Sequence, residues 1–360
     1  MNLPALFLLA AGAATSIEGM HAAPGVPSLV QSGVPEIPAE LRQRTDQYLN
    51  ARQAALVDVT DSGDALLVAT RFASTNQLHL VEAPLGMRTQ LTFADEPVTQ
   101  ARFQPGDQQI LWYLQDKGGG EFFQILRLDR RVGRAEMVTD GKSRHGSLTL
   151  SRDGSRLAFS GTQRNGKDTD VYLADTASPK KARRLTEAEG TWAPVEFSPD
   201  GTRLLVLHER SIQDADLYSM ELSSAKLTQL TPKEGKASVE AARWTADGKG
   251  VYLVTDRWSD FNQLYRLELD GKRTPLSADL GWDVEELATT EDGSRLAFSV
   301  NQDGASRLYL LDRQGHLGPV ALPENAVIGR MVFPRKRSDR LAVSFQTATQ
   351  PLDVYEVDLS

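Results

Sequence analysis

The side chains that could perform covalent catalysis form an incomplete set in this chain of 360 residues. The chain contains no cysteine, so thiolate nucleophiles, thiolate-bound zinc, iron–sulfur clusters and disulfides are all excluded. It also contains no G-x-S-x-G sequence, the motif that presents a nucleophilic serine on a sharp strand-to-helix turn. We therefore assign no histidine to a catalytic triad and do not expect this chain to be catalytic by itself. The five histidines are His21, His79, His145, His208 and His316.

Motifs for binding phosphate or metal are also incomplete. Residues 161–167 (GTQRNGK) lack the final Ser or Thr of a phosphate-binding loop, because Asp168 stands in that position. We interpret the segment as a hairpin turn centred on Asn165 and Gly166. Asp168 and Asp170 are too few carboxylates for a calcium loop, and no spacing of histidine and glutamate indicates a catalytic metal. The sequence thus predicts no metal and no cofactor.

The charge balance is acidic, with two basic runs. Lys and Arg number 40 against 48 Asp and Glu, so the net charge is −8 and the pI is about 5.3. This balance is typical of a soluble globular protein and argues against a nucleic-acid partner, which needs a dense basic surface. The runs at 180–184 and 335–337 could bind a weak anionic partner, but solvated charge at turns is the favoured interpretation.

The first 22 residues are typical of a secretory signal peptide. Residues 3–14 form an apolar run that is too short to span a bilayer, and residues 11–13 (AGA) offer a small-residue cleavage site. No Lys or Arg precedes Arg42, so the usual basic start of a signal peptide is missing. A disordered apolar tail and a misplaced start codon are therefore alternatives. We predict a periplasmic or secreted protein with no membrane span.

Residues 23–54 are predicted to form a linker followed by one helix. The segment 23–38 is rich in proline and is interpreted as extended. Glu40 to Ala55 has helical composition, and Leu41, Tyr48 and Leu49 are available for one apolar face.

From Ala55 onward the sequence repeats at intervals of about 45 residues. One copy is clear at residues 193–231: an apolar run, an Asp-Gly turn, a second apolar run, a polar loop, a Leu-Tyr run and a Leu-Thr ending. Three kinds of marker residue recur independently at this interval. The turn glycines are Gly63, Gly106, Gly154, Gly201, Gly248 and Gly293, with a degenerate seventh turn at Ser338-Asp339. The third-run markers are His79, Ile125, Tyr172, Tyr218, Tyr265, Tyr309 and Tyr355, and the endings are Thr92, Thr139, Thr186, Thr231, Ser277 and Pro323.

The second run of the clear copy, residues 203–208, is apolar on both faces of a strand. Such a strand lies between two other layers. Four short antiparallel strands per copy, stacked around an axis, provide that environment, and the period matches a propeller blade. We therefore predict an all-β, seven-bladed β-propeller of four-stranded blades over residues 55–360. We label the strands of each blade A to D; the B–C hairpins and D–A connections form the upper face, and the A–B turns and C–D loops form the lower face.

The seventh copy lacks a fourth strand. Its strands are expected near 327–333, 340–346 and 353–359, and Ser360 follows directly. Either an N-terminal segment such as residues 26–34 completes this blade, or the chain is the front part of a longer polypeptide. An unpaired edge would be a liability for a free-standing protein.

Several motifs at the start of the repeats stand in a fixed order: residues 48–52 (YLNAR), 69–72 (ATRF), 77–79 (QLH) and 90–93 (QLTF), then 116–124 (DKGGGEFFQ). Together they resemble the propeller start of bacterial prolyl oligopeptidase-family serine peptidases, and the last resembles that family's D-x-G-G-x-E-x-x-Q hairpin. The resemblance covers roughly residues 38–360. The Asp-Gly turns are less specific, because TolB-like and WD40-like propellers also carry them.

The resemblance implies a substrate-gating and domain-docking propeller of an exported serine peptidase. In that family the catalytic α/β-hydrolase domain follows the propeller, and these 360 residues lack it. The implied partners are therefore that domain or a peptide substrate. The alternative is a free-standing TolB-like periplasmic scaffold that binds a protein or peptide. A propeller enzyme, such as a lactonase or a glycan-processing protein, is a weaker third reading, because it needs carboxylates or metal ligands at the mouth.

The upper face collects the residues that we expect to contact a substrate or a catalytic domain. Arg71 and Glu121 lie in the motifs that resemble the family. Glu121 could bind a substrate amine or an arginine of the missing domain, and structural pairing is an equal alternative. Trp192 and Trp282 stand at blade starts, where packing is the favoured role. The candidates on this face are Arg71, Phe72, Phe93, Glu121, Phe122, Trp192, Trp258, Phe261 and Trp282.

Overall fold

The computed structural model describes residues 20–23, 26–232 and 235–360, and contacts divide the chain after Ala51 into two units. The first unit contains an antiparallel pair of strands and one helix: β1 (Met20–Ala23), β2 (Val26–Ser32) and α1 (Ala39–Leu49). Residues 1–19 of the predicted signal peptide lie outside the described part.

The helix is shorter than the predicted Glu40 to Ala55. It ends at Leu49, and both the backbone N–H and the side-chain amide of Asn50 donate to the Asp46 carbonyl at 2.9 Å. Ala54 already belongs to the second unit, where its N–H donates to the Leu352 carbonyl at 2.8 Å. The helical composition of residues 51–55 is thus overridden by sheet contacts, a common tertiary effect.

The second unit consists of seven antiparallel sheets, built from the inside outward in the order A–B–C–D in blades 1 to 6 and A–B–C in blade 7. The A strands are β3 (Ala55–Val59), β7 (Val98–Gln104), β11 (His145–Leu150), β15 (Thr191–Phe197), β19 (Ala241–Trp244), β23 (Val284–Thr289) and β27 (Val327–Val332). The B strands are β4 (Leu66–Thr70), β8 (Asp107–Gln115), β12 (Arg156–Gly161), β16 (Arg203–Ser211), β20 (Gly250–Thr255), β24 (Arg295–Gln302) and β28 (Arg340–Gln346).

The outer two strands complete each sheet. The C strands are β5 (Gln77–Val81), β9 (Gln124–Asp129), β13 (Asp170–Asp175), β17 (Asp214–Glu221), β21 (Gln263–Glu268), β25 (Ala305–Asp312) and β29 (Asp353–Asp358). The D strands are β6 (Thr89–Gln90), β10 (Arg134–Met137), β14 (Arg183–Arg184), β18 (Leu227–Gln229), β22 (Arg273–Pro275) and β26 (Leu317–Val320). Two 3₁₀ turns lie at Pro179–Lys181 and Ala278–Leu280.

The seven A strands form a closed ring, because each contacts the A strands of the two neighbouring blades, including β27 with β3. The predicted seven-bladed β-propeller is therefore confirmed. Alternate residues of each B strand pack toward different neighbours. In β16, Leu204 and Val206 join a cluster with Leu173 of blade 3, whereas Leu205 joins a cluster with Trp244 of blade 5. The apolar character of both faces of this strand follows from that position.

Blade 7 has three strands within the described residues, and β2 pairs with β1 rather than with β29. A groove of about 370 Å³ lies between blade 1 and the open edge of β29. Its walls include Leu66 and Val68 on one side and Val354 and Tyr355 on the other. In blades 3 and 4 the residue equivalent to Tyr355 pairs with the fourth strand, whereas β29 pairs only with β28 among the described residues.

In five blades the Thr or Ser of the ending forms a hydrogen bond with the backbone of the C strand. The hydroxyl of Thr231 accepts the Leu217 N–H at 3.1 Å and donates to Asp216 Oδ1 at 3.2 Å. The equivalent hydroxyls of four other blades accept the equivalent N–H at 2.9–3.0 Å: Thr92, Thr139, Thr186 and Ser277. One side chain thus satisfies a buried backbone donor where the D–A connection leaves the sheet.

We predict that Thr231→Val lowers the free energy of unfolding by about 1–3 kcal/mol, because it leaves the buried Leu217 N–H without an acceptor at constant side-chain volume. Thr228→Val, on the exposed outer strand of the same blade, is the matched control and should change it by less than about 0.5 kcal/mol. Denaturant unfolding measures both. Equal effects of the two substitutions would contradict this role of the hydroxyl.

The A–B turns are built around aspartates. Ser151 and Ser198 donate to Asp153 and Asp200 at 2.6 and 2.5 Å, and each carboxylate also accepts a backbone N–H two residues further on. These bonds to the charged form lower the pKa of both aspartates to about 2. The turn glycine that follows each aspartate adopts a left-handed φ, 69° at Gly154.

We predict that these two turns lose their stabilising contribution in acid. A carboxyl group with a depressed folded-state pKa stabilises the protein above its unfolded pKa of about 3.9 and loses that contribution as the pH falls toward 2. The double substitution Asp153→Asn with Asp200→Asn should therefore flatten the fall in unfolding free energy between pH 5 and pH 3. Urea unfolding across that range measures it, with exposed Asp260→Asn as the control. A pH dependence that remains as steep as in the unsubstituted protein would refute the assignment.

Candidate functional site

Three segments meet on the upper face of blades 1 and 2: the hairpins 71–76 and 116–123 and the connection 91–97. The amide of Gln77 donates to the carbonyls of Ala94 and Glu96 at 2.9 and 3.0 Å and accepts the Ala94 N–H at 3.1 Å. Glu96 Oε1 in turn accepts the Gly118 N–H at 2.8 Å. These bonds connect both hairpins to the connection, so their side chains form one surface.

Exposed aromatic rings mark this surface. Phe72, Phe93 and Phe122 are 48%, 79% and 46% exposed. The Arg52 guanidinium lies 5.5 Å from the Phe72 ring centroid, and that of Arg144 lies 5.6 Å from the Phe122 ring. Large exposed rings beside cationic groups are typical of binding surfaces. Arg71, which the sequence singles out, is also exposed in this sector.

Glu121 is held in an uncommon backbone conformation. Its φ is 59°, and it follows Gly118 and Gly119, which also have positive φ. A left-handed conformation costs a residue other than glycine about 1–2 kcal/mol. The side chain is exposed and makes no hydrogen bond or ion pair within the described residues. The structural pairing considered above is therefore not seen there, and the carboxylate is available to an amine or guanidinium.

The three candidate tryptophans occupy different environments. Trp192 is only 7% exposed, stacks on His208 at a centroid distance of 4.1 Å, and donates from Nε1 to the Glu189 carbonyl at 3.0 Å. Trp282 is half-buried in the cluster that joins blades 5 and 6. Trp258 is half-buried, with its ring edge-on to Tyr265. Packing accounts for Trp192, and Trp258 lies in blade 5, in a different sector from Arg71, Glu121 and Phe122.

Two histidines near the upper face, His145 and His208, are buried and half-buried. Burial lowers the pKa of both His145 and His208. His145 lies between the Phe123 carbonyl, 3.3 Å from Nδ1, and the Gln163 amide, 3.0 Å from Nε2.

The remaining charged motifs form hydrogen bonds and ion pairs with other residues of the chain. Residues 161–167 span a B–C hairpin as predicted: Asn165 Oδ1 accepts the Lys167 and Asp168 N–H groups at 3.0 and 2.9 Å, and Arg164 pairs with Asp170 at 2.7 Å. Carboxylates also pair with two residues of each basic run. These pairs are Lys180–Glu136, Arg184–Glu187, Arg335–Glu291 and Arg337–Asp339.

A charged central channel is the feature that the sequence reasoning missed. It has a volume of about 220 Å³ and is lined by residues of all seven A strands, among them Asp58, Arg102, Glu196 and Arg243. Each of these four stands four or five residues before the turn glycine of its blade. Reading that one position across the repeats would have found them.

The described ranges contain neither a metal-binding cluster nor a membrane-spanning helix. Residues 20–23, 26–232 and 235–360 contain no group of three or more His, Asp or Glu side chains arranged to hold a metal ion. No helix in these ranges is long and apolar enough to cross a membrane.

The fold and the site define a seven-bladed β-propeller with an aromatic upper sector. Solved structures of prolyl endopeptidases match 97% of this chain with a TM-score of 0.70 at 12% identity. Puromycin hydrolase matches 86% of it with a TM-score of 0.68 at 17% identity. An oligogalacturonate lyase solved with manganese matches 86% with a TM-score of 0.67 at 14% identity. At these identities the likeness is one of fold.

The sequence comparison is more limited. The uncharacterized peptidase YuxL of Bacillus subtilis (strain 168) is 26% identical over 109 residues, which is 29% of this chain and 17% of that peptidase. No family model matches. This chain covers 58% of the matched prolyl endopeptidase and 52% of puromycin hydrolase, so each of these proteins contains a large part that this chain does not match.

We predict that a buried and an exposed aromatic residue of the upper face contribute differently to the free energy of unfolding. Trp192→Ala should lower the free energy of unfolding by about 3–5 kcal/mol, because it empties a buried site between blades. Phe93→Ala should change it by less than about 0.5 kcal/mol, because the ring is exposed. If the alanine variant at 192 does not fold, Trp192→Phe should still show a smaller loss. A loss at Phe93 equal to that at Trp192 would refute the distinction.

Proposed function

We propose that this chain is the non-catalytic, substrate-gating and domain-docking propeller of an exported serine peptidase resembling the prolyl oligopeptidase family. The single observation that carries the proposal is the fit of 97% of the chain to 58% of a prolyl endopeptidase. Puromycin hydrolase and a Bacillus peptidase support it. In this proposal a serine of the partner domain performs acyl transfer, and the propeller restricts access to small substrates.

The upper sector of blades 1 and 2 is the proposed docking or substrate-facing surface. Phe72, Phe93 and Phe122 supply apolar contact area, and Glu121 supplies an unpaired carboxylate. A carboxylate held on a strained loop is suited to an amine of a peptide substrate or a guanidinium of the catalytic domain.

The alternative is a free-standing periplasmic scaffold that binds a protein or peptide. The same exposed phenylalanines support it, because such a surface suits any partner with apolar side chains. The two functions differ in whether a reactive serine accompanies the propeller.

The test is to isolate the native protein from its source cells with an antibody against the propeller, label it with a serine-directed fluorophosphonate and measure intact masses. We expect the propeller sequence in a labelled species heavier than 39.5 kDa, or bound to a labelled partner, in the exported fraction. Unlabelled material of 39.5 kDa or less, without a labelled partner, would contradict the peptidase proposal and favour the scaffold.

The labelled species then allows a test of Glu121. Glu121→Lys should lower kcat/KM for peptide cleavage about tenfold, because it replaces an attractive charge with a repulsive one at the docking surface. Glu82→Lys, an exposed charge reversal in the C–D loop of blade 1 on the lower face, is the matched control. Unchanged kinetics in both variants would remove Glu121 from the proposal without affecting the isolation result.

A further inference from the structure

The central channel contains three arginines for which the fold supplies few partners. They are Arg102 on β7, Arg243 on β19 and Arg330 on β27, and all three line the same cavity of about 220 Å³. Their strands come from blades 2, 5 and 7, so the ring brings together residues that are far apart in sequence. Each side chain is half-buried, with part of its surface open to the channel.

Backbone carbonyls accept only a few of the N–H donors of these guanidinium groups. Arg102 Nη1 donates to the carbonyls of Val57 and Ala101 at 3.2 and 2.9 Å, and Arg243 Nη1 donates to Ala242 at 2.9 Å. Within the described residues, no carboxylate oxygen lies within 4.0 Å of any of the three guanidiniums. A guanidinium carries five N–H donors, so most of the donors point to no protein acceptor.

The channel carboxylates have other partners or lie further away. Asp58 Oδ2 accepts the Phe103 N–H at 2.9 Å, and Glu196 Oε2 accepts the Trp244 N–H at 2.6 Å, so each binds the backbone of the next blade. Burial raises the pKa of Glu196 and of Glu286, and nearby arginine charges oppose that shift.

The cationic groups also act on one another. Burial lowers the pKa of Arg102 to about 10, and the neighbouring charges of Arg330, Arg243 and Arg335 lower it in the same direction, whereas Asp58 opposes them. At the lower mouth, Arg335 is already paired with Glu291 at 2.5 Å, and Arg152 donates to the Glu291 carbonyl at 3.3 Å. Burial lowers the pKa of Arg330, and the charges of Asp58 and Glu286 oppose that shift. Within the described residues, however, the three inner arginines form no direct ion pair.

We propose that the central channel binds an oxyanion group, a carboxylate or a phosphate, between Arg102, Arg243 and Arg330. Guanidinium groups bind such oxyanions through paired, charge-assisted hydrogen bonds. A narrow channel with low-dielectric walls strengthens that attraction compared with the open surface. The cavity has room for a small anion or the end of an extended chain. The two sources of this chemistry are a free phosphate-like anion and the C-terminal carboxylate of a short peptide.

The test is isothermal titration of the full 360-residue chain with inorganic phosphate, with trialanine and with trialanine amide, at constant ionic strength set by sodium chloride. We expect saturable binding of phosphate, of trialanine, or of both, and none of the amide. Binding of phosphate alone identifies a free anion as the ligand, and binding of trialanine identifies a peptide carboxylate. The absence of saturable binding by both acids would overturn the proposal.

Variants locate the site. Arg330→Met, which removes a side chain with no hydrogen bond to the described protein, should fold and weaken binding about tenfold or more. Arg330→Lys should recover part of the affinity, and Arg102→Met should act in the same direction if it folds. Arg134→Met, on the exposed outer strand of blade 2, is the matched control and should leave binding unchanged. Equal affinities in the Arg330→Met and Arg134→Met variants would place any binding outside the channel and overturn the proposal. This result is independent of whether a peptidase domain accompanies the propeller.

Discussion

A blade of this propeller can bury both faces of its sheet only against two neighbouring blades. Leu204 and Val206 need the side chains of blade 3, and Leu205 needs those of blade 5. No blade has a core of its own, so the ring must close, and the contact between β3 and β27 makes that closure. The loops at both faces and the channel along the axis all follow from this arrangement.

The turns of the lower face contribute to stability, whereas the loop tips of the upper face are available for recognition. On the lower face, the turn aspartates accept hydroxyl and backbone donors and fix the register of the A and B strands. On the upper face of blades 1 and 2, buried glutamine and threonine side chains hold the loops from below and leave the loop tips exposed. Phe93 and Glu121 thus add little to the stability of the sheets, which leaves them available for contacts with another molecule.

Ring closure also concentrates charge along the axis. Some inner-strand polar side chains bridge adjacent blades: Asp58 and Glu196 accept an N–H of the next A strand, and Gln100 accepts that of Leu148. The arginines have no such role across the ring beyond single carbonyl contacts. Among the described residues these arginines form no direct ion pair, and in the proposed binding a small anion would stabilise the closed ring by binding the folded state alone.

The sequence by itself determined the architecture, because the turn glycines of six blades, the Thr or Ser endings of five blades and the apolar B strands report local chemistry that recurs at one interval. It also predicted the hairpin at Asn165, and its motifs predicted a likeness to peptidase propellers. The sequence favoured packing for Trp192 but left Phe93 beside it among the candidates of the upper face, whereas the tertiary structure buries the first ring and exposes the second. The tertiary structure also decided the early end of the helix, the left-handed Glu121 and the convergence of Arg102, Arg243 and Arg330. These depend on which segments and blades become neighbours. The repeat gives the strand position of Arg102 and Arg243, but only closure of the ring brings those side chains together.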